Sequence, residues 1–443
     1  MRLQRLAAGL ILLACLDHDW IAAEEQGGLT LAELQAAALE QHPALKQAQM
    51  KIEAARGKWL QAGLYPNPIA GYEGDEIGNE HSAGQQGAFF AQELVTAGKL
   101  RLNRAVVSHE VQQAQHEWAA QRQRVLNDVA TAYYDLLAAQ RGWELAGQLA
   151  RIGEESLEAA ERLLEAKQVS RVDVLAARIE TASARLRRAS AENRCRAAWR
   201  RLAAALGRPA MQPVSVAGNL DDDLPQLTWE DALQHLLAKS PELARARSAV
   251  QRARCAVARQ CAGRIPNVNL AAGVQHDNAT GDNIARVEIG LPLPLFNRNQ
   301  GNIARAQAEL VAAQHEVQRV ELDLHDRLAA AFQRYQDARR QVETYRASIL
   351  PDAQASLELV STGYRQGEVG YVTLLTAQRT CFSANLAYLE SLRQLRTTAV
   401  AIEGLLLGGG LGETGRAPLG IDTEEGQAGG APEESWGQSA LSH

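Results

Sequence analysis

Ala285-Arg286-Val287-Glu288-Ile289-Gly290-Leu291 is the stretch on which the architecture of this chain turns. Ala285, Val287, Ile289 and Leu291 are apolar, while Arg286 and Glu288 between them are charged. Alternation with a period of two describes a strand with one greasy and one wet side. Just upstream, Val268, Leu270, Ala272 and Val274 alternate with Asn269, Ala271 and Gly273, which supplies a partner. The turn-rich, polar residues 276–282 join the two.

Working outward, this strand pair belongs to a unit that occurs twice. Leu29-Thr30 opens an amphipathic stretch reaching His42-Pro43-Ala44-Leu45, and Leu227-Thr228 opens another reaching Ser240-Pro241-Glu242-Leu243. Leu64-Tyr65-Pro66-Asn67 is answered by Arg264-Ile265-Pro266-Asn267, and Ala114-Gln115-His116-Glu117 by Ala313-Gln314-His315-Glu316. Two units of about 200 residues mean one architecture built twice, over 29–208 and 227–408, with a linker at 209–226. Each unit is expected to open with an amphipathic helix, at 30–61 and 228–262. A strand–loop–strand segment follows at 66–95 and 266–293, then a very long helical tract at 100–167 and 302–366. A returning helix closes the unit at 171–206 and 371–406. Residues 104–141 and 302–350 contain neither proline nor internal glycine, so the helical reading is strong there. Gly147 and Gly153 in the first unit and Pro351 in the second fall at matching places and are read as a kink or a shared girdle region rather than an end. Helices of this length need partners, so they pack as antiparallel coiled coils. In the first unit's weaker strands, Gly71-Tyr72 and Phe89-Phe90 suit the interfacial aromatics of a barrel.

The net charge of -6 is small and well mixed, so nothing points to a nucleic-acid-binding surface. Residues 1–23 read as an export leader: Arg2 and Arg5 give a positive end, and residues 6–16 a short apolar core. Two processing sites compete, lipidation of Cys15 after Leu12-Leu13-Ala14, and ordinary cleavage after Ile21-Ala22-Ala23. Cys195, Cys255, Cys261 and Cys381 show no metal spacing and read as buried free thiols, with a Cys195–Cys381 pairing open. Residues 409–443, rich in glycine and acid, read as a disordered tail.

A one-sided sheet in a soluble protein packs its greasy face on a core. In an exported chain with short amphipathic strands and no apolar run of 18, the same pattern indicates an outer-membrane barrel. Four strands cannot close a barrel, for which about eight is the minimum. Open strand edges are intolerable in lipid, so the chain must oligomerise, and three copies would give about twelve strands.

At this point the chain resembles a known family. Leu291-Pro292-Leu293-Pro294-Leu295-Phe296-Asn297-Arg298-Asn299-Gln300-Gly301-Asn302-Ile303 is similar to the barrel-to-helix junction of the heavy-metal, CzcC- and CusC-like subgroup of TolC-like outer-membrane efflux channels. Its first-unit counterpart, Gln92-Glu93-Leu94-Val95-Thr96-Ala97-Gly98-Lys99-Leu100-Arg101, fits the same subgroup. The resemblance covers about 29–408. Pro66, Pro266, Pro292, Pro294, Gly98, Asn297, Arg298 and Gly301 mark these junctions, because proline cannot donate to a strand ladder.

The resemblance implies a mainly α fold with a small β part. Each of the two repeats would have long antiparallel helices plus a strand pair, and a homotrimer would form a 12-stranded outer-membrane β-barrel on an α-helical periplasmic barrel. It also implies that the turns between long helices line the periplasmic aperture and meet a periplasmic membrane-fusion adaptor. In the second unit these positions are Gln366, Gly367, Val369, Gly370, Tyr371, Thr373 and Leu374; in the first they are Gln168, Val169, Ser170, Val172, Asp173 and Leu175. The first turn departs from the pattern, since Lys167 stands where the second has Gly367.

The function expected from this resemblance is an outer-membrane exit duct that passively exports heavy-metal cations. An inner-membrane pump of the resistance–nodulation–division (RND) type and the adaptor would deliver them. Alternatives are a duct for organic toxins or type I secreted polypeptides, and a periplasmic coiled-coil scaffold. His109, His116, His315 and His325 show no ligand spacing, and Asp221-Asp222-Asp223 reads as a solvated loop, so no metal site and no cofactor is expected. No catalytic constellation stands out, so the chain is read as not an enzyme.

Overall fold

The computed structural model describes residues 28–78, 83–167, 169–366 and 368–410. The leader with Cys15, the turn residues Gln168 and Gly367, and residues 411–443 lie outside the described residues.

Helix–strand–helix order repeats twice along the chain. The first unit contains α1 (Leu31–Gln41), α2 (Pro43–Gln61), β1 (Ile69–Asp75), β2 (Gln85–Leu94), α3 (Lys99–Glu165) and α4 (Arg171–Ala205). The second contains α5 (Trp229–Lys239), α6 (Pro241–Ala262), β3 (Val268–Asp277), β4 (Asn283–Gly290), α7 (Gln300–Thr344), α8 (Leu350–Gln366) and α9 (Tyr371–Glu403). With 67 residues, α3 is roughly 100 Å long.

The opening helices expected at 30–61 and 228–262 are each two helices. Proline forces the residue before it out of the helical region, so His42 (ψ 123°) and Ser240 (ψ 119°) are non-helical. Each then caps the second helix: His42 Nδ1 accepts from the Ala44 N–H at 3.2 Å, and Ser240 Oγ from the Leu243 N–H at 3.3 Å. The matching kink is also corrected. The first unit's long helix runs unbroken through Gly147 and Gly153. In the second unit a π-helical turn, Tyr345–Ile349, separates α7 from α8. Pro351 lacks an N–H and its ring crowds the carbonyl four residues back, at Ala347, so the disturbance falls one turn upstream of the proline.

The bundle core unites both units. Leu34, Val129, Leu136, Leu202, Leu206, Leu236, Leu324, Leu328, Tyr335, Leu392 and Leu395 are buried in one cluster. Residues of the linker close it: the Tyr335 hydroxyl donates to the Pro225 carbonyl at 2.6 Å and accepts from the Leu227 N–H at 3.0 Å. The acidic loop is partly tied down, because Tyr388 donates to Asp221, while Asp222 and Asp223 are exposed. Residues expected in the tail begin as structure, since the Gly409 N–H donates to Asp128 Oδ1 at 3.1 Å. All four described cysteines are free, so Cys195 and Cys381 are unpaired; Cys261 is exposed rather than buried.

The two strand pairs form one antiparallel sheet in the order β1-β2-β3-β4, with β2 and β3 joining the units from Gln85↔Asp277 to Leu94↔Val268. Pairing extends the alternation across all four strands. Tyr72, Ala88, Val274 and Ala285 lie in one row, so their face also carries Phe90, Leu270, Val287 and Ile289. The opposite face carries Glu73, Gln275, Arg286 and Glu288. Phe89 therefore sits on the wet face, not with Tyr72 and Phe90 as an interfacial aromatic. It lies across Gly71, where a Cβ would come within 2.5 Å of its ring, so only glycine fits beneath it.

Candidate functional site: sheet face, junctions and helix tips

On its own, the chain leaves the apolar sheet face uncovered. Val287 is 71% exposed and Ile289 70%, with Tyr72, Phe90 and Val274 also exposed beside them. A contiguous apolar patch of this kind marks contact with lipid or with another chain. No described helix is long and apolar enough to cross a membrane. The polar face is paired internally: Arg286 binds Glu73 and, at 3.1 Å, Glu288, and the buried Gln275 donates to Asp75 Oδ2 at 3.2 Å. Lining one water-filled lumen, these groups would present more acid than base.

Between sheet and bundle, the predicted junction residues sit where the chain turns into helix. Gly98 precedes α3 in the left-handed region at φ 62°. The counterpart at the start of α7 is Asn299, at φ 59°. Gly301 lies inside α7 with open space around it, so the left-handed role falls on Asn299 and not on Gly301. Asn297 Oδ1 accepts from the Asn299 N–H at 3.0 Å, and Arg298 is exposed. Pro66, Pro292 and Pro294 are exposed, and Pro266 is half-buried.

At the far end of the bundle, both tips are built by capped reversals. Lys167 holds the first in the left-handed region (φ 57°), so the residue that departs from the glycine pattern still makes the turn. Ser170 and Asp173 then form a capping box: Ser170 Oγ accepts from the Asp173 N–H at 3.3 Å, and Asp173 Oδ2 accepts from the Ser170 N–H at 3.0 Å. Gly370 precedes α9 without any side-chain cap.

The tips meet each other. Val174 and Ala177 from the first unit pack with Tyr371 and Leu374 from the second, over Ala160, and Tyr364 leans on this cluster. Tyr371 and Leu374 are therefore seam residues that shape the tip. The surface belongs to Ser170, Val172, Leu175, Gln366, Gly370 and Thr373, which are exposed, with Val169, Asp173 and Val369 half-buried. Val172, Leu175 and Ile179, together with Leu186, make an exposed apolar stripe down α4 at helical spacing.

Sequence reasoning missed Glu180, which is buried on α4 just beyond the seam residue Ala177. It accepts from Arg379 Nε at 3.1 Å and Arg187 Nη1 at 3.2 Å, tying α4 to α9. Burial pushes its pKa up, but the two arginines outweigh that and hold it below the ordinary value. No sequence signal marks it, because Glu180 and Arg379 lie 199 residues apart.

Among the described residues, no group of three or more His, Cys, Asp or Glu side chains is placed to hold a metal ion. His109 and His315 instead contact Gln112 and Gln318 on their own helices.

Comparison with known proteins agrees with this anatomy. The cobalt-zinc-cadmium resistance protein CzcC of Cupriavidus metallidurans is 29% identical over 383 residues, 86% of this chain and 91% of that protein. The crystal structure of the outer membrane protein VceC of Vibrio cholerae superimposes with a TM-score of 0.70 at 19% identity, covering 86% of this chain and 96% of VceC. The structure of CusC gives 0.70 at 20% identity, covering 86% and 92%. These two likenesses show the fold. The Outer membrane efflux protein family matches residues 34–208 and again 232–409. A sheet with a bare greasy face, set on a long double-unit helical bundle, is thus the anatomy of a transport duct, and this chain belongs to the outer membrane efflux protein family.

Proposed function

We propose that this chain is the outer-membrane exit duct of a tripartite efflux system that carries heavy-metal cations outward. Three copies would close one barrel of about twelve strands, with the bundle continuing it as a periplasmic tunnel. The observation that carries this reading is the sheet: an uncovered apolar face suited to lipid, backed by an acidic, hydrogen-bonded face suited to a cation-conducting lumen. The duct performs no chemistry. Energy comes from an inner-membrane pump of the RND type, joined through a periplasmic adaptor that meets the tips at 168–175 and 366–374. The likeness to a cobalt-zinc-cadmium resistance protein supports metal as the cargo over organic toxins or polypeptides. The family match leaves the periplasmic scaffold without support.

Deleting the gene and measuring growth and cell metal content across cobalt, zinc, cadmium, nickel, copper and silver tests the cargo. The expected result is sensitivity to one or a few metals with raised cell metal; sensitivity to dyes and detergents alone would overturn the metal reading. Gly370 tests the docking point. A Cβ there meets nothing within 4 Å, so Gly370→Asp leaves the fold intact and is expected to abolish export while oligomers persist. Undiminished export would remove the tip from the docking surface.

A further inference from the structure

The chain contains one joint between neighbouring hairpins and the two halves of a second. The complete joint lies below β2 and β3. There the Thr96 N–H donates to Asn267 Oδ1 at 3.3 Å, and the Thr96 hydroxyl to the Pro266 carbonyl at 2.6 Å. Lys99 Nζ donates to the same Asn267 oxygen at 2.5 Å, and Asn267 Nδ2 to Glu93 Oε1 at 2.6 Å. The joint is half-buried, with Lys99 only 7% exposed at its centre. Burial and the nearby Arg259 both lower its pKa, against the pull of Glu93.

The repeat places each part of this joint a second time. Aligning the two left-handed residues, Gly98 and Asn299, sets Thr96 on Asn297 and Lys99 on Gln300. Pro66-Asn67 corresponds to Pro266-Asn267. These second halves do not meet within the chain. Asn297 and Gln300 follow the edge strand β4, and Asn67 precedes the opposite edge strand β1. All three are exposed, and so is the apolar strap beside them, with Phe296 at 92%. Pro292 and Pro294 have no N–H to donate, so an unbroken ladder cannot continue along that strap and side chains must help hold whatever lies against it.

We infer that the strap at 293–300 of one copy receives Pro66 and Asn67 of the next copy, reproducing between chains the joint that Thr96 and Lys99 make with Asn267 inside one. The partner is a second copy of this chain, because the sheet order dictates it. Joining copies edge to edge, antiparallel, sets the end of β4 beside the start of the neighbour's β1, as the end of β2 lies beside the start of β3. Asn297 takes the place of Thr96 and Gln300 that of Lys99, both able to hydrogen-bond the neighbour's Asn67. Leu293, Leu295 and Phe296 then cover the neighbour's exposed Leu64 and Tyr65. The inference rests on the closed multi-copy barrel proposed above.

Cysteine cross-linking of the full chain in outer membranes tests it. In a Cys261→Ser background, Asn67→Cys with Asn297→Cys should give, on mild oxidation, dimers and trimers that revert to monomer on reduction. A disulfide requires Cα atoms about 4.4–6.8 Å apart, so Asn67→Cys with Glu309→Cys, roughly 13 Å further down α7, should give no ladder. Co-expressing two chains that carry one substitution each should give dimers only. The mass of the detergent-solubilised protein separates the two ways of failing. An oligomer without cross-links would overturn this joint and leave the duct standing; a monomer would overturn the closed barrel and the joint with it.

Discussion

The helical bundle and the sheet are both amphipathic, yet they treat their apolar sides oppositely. Leu328 and Leu392 in the bundle are buried by their own chain, whereas Val287 and Ile289 in the sheet face outward. The bundle has a core of its own because each unit supplies antiparallel partners, and α3 with α4 and α7 with α9 bury apolar residues together. A four-stranded sheet has no such recourse, since its edges and one face need further strands and lipid. The core of the bundle is thus a property of one chain, while the sheet, and the exposed stripe of Val172, Ile179 and Leu186 on α4, depend on what the assembly brings against them.

The sharpest way to break this contrast is to charge the outward face. Val287→Arg with Ile289→Arg is expected to abolish outer-membrane assembly, since arginine on a lipid-facing strand costs about 2–4 kcal/mol at each midplane position. Fractionation after a salt wash reads the loss; normal membrane levels would mean that this face never meets lipid. In the bundle, Leu392→Ala should cost about 2–5 kcal/mol by leaving a cavity. The chain should still reach the membrane but unfold at lower denaturant, and an unchanged midpoint would contradict the core assignment.

A smaller effect is expected at the buried carboxylate. Arg379→Ala leaves Glu180 with only Arg187 and should cost on the order of 1–3 kcal/mol, less than a fully buried pair because the arginine is half exposed. The pH dependence carries a definite sign. Glu180 has a depressed folded pKa, so its stabilisation is fully present above the ordinary 4.5 and is lost as pH falls through the depressed value. Arg379→Ala should flatten that acid limb of a thermal-stability profile; a profile parallel to the parent's would refute the coupling. Least of all, Lys167→Gly should stabilise by about 0.5–1 kcal/mol, relieving a left-handed lysine against the entropy glycine adds to the unfolded chain. A lowered melting temperature would show that the lysine side chain contributes more than its backbone costs.

What the sequence revealed depended on the range of the interaction. β4 was legible because strict alternation at Val287 and Ile289 is a local signal, and the tips because Ser170 and Gly370 sit at turns with their own chemistry. Phe89 and Phe90, as neighbours on a strand, must face opposite ways, and only the register with Gly71 and Gly273 tells which of them lies on the wet side. Pro43 and Pro241 carried the helix breaks openly, but within long amphipathic stretches the periodicity masked them. Glu180 was invisible because its partner Arg379 stands on a helix of the other repeat.

The π-helical turn at Tyr345–Ile349 has a consequence for phase. Above it, Leu324, Leu328, Ala331, Tyr335, Ala338 and Val342 face the core at alternating steps of four and three. Below it, Ala353, Leu357, Val360 and Tyr364 resume the same rhythm one residue late. One extra residue turns an α-helix by about 100°, and the wide turn absorbs that rotation. The rod formed by α7 and α8 therefore behaves as two gears keyed to one shaft, with the single tooth of offset taken up at the coupling. The unbroken helix of the first repeat has no such place, so the two repeats carry their core stripes past this level in different ways.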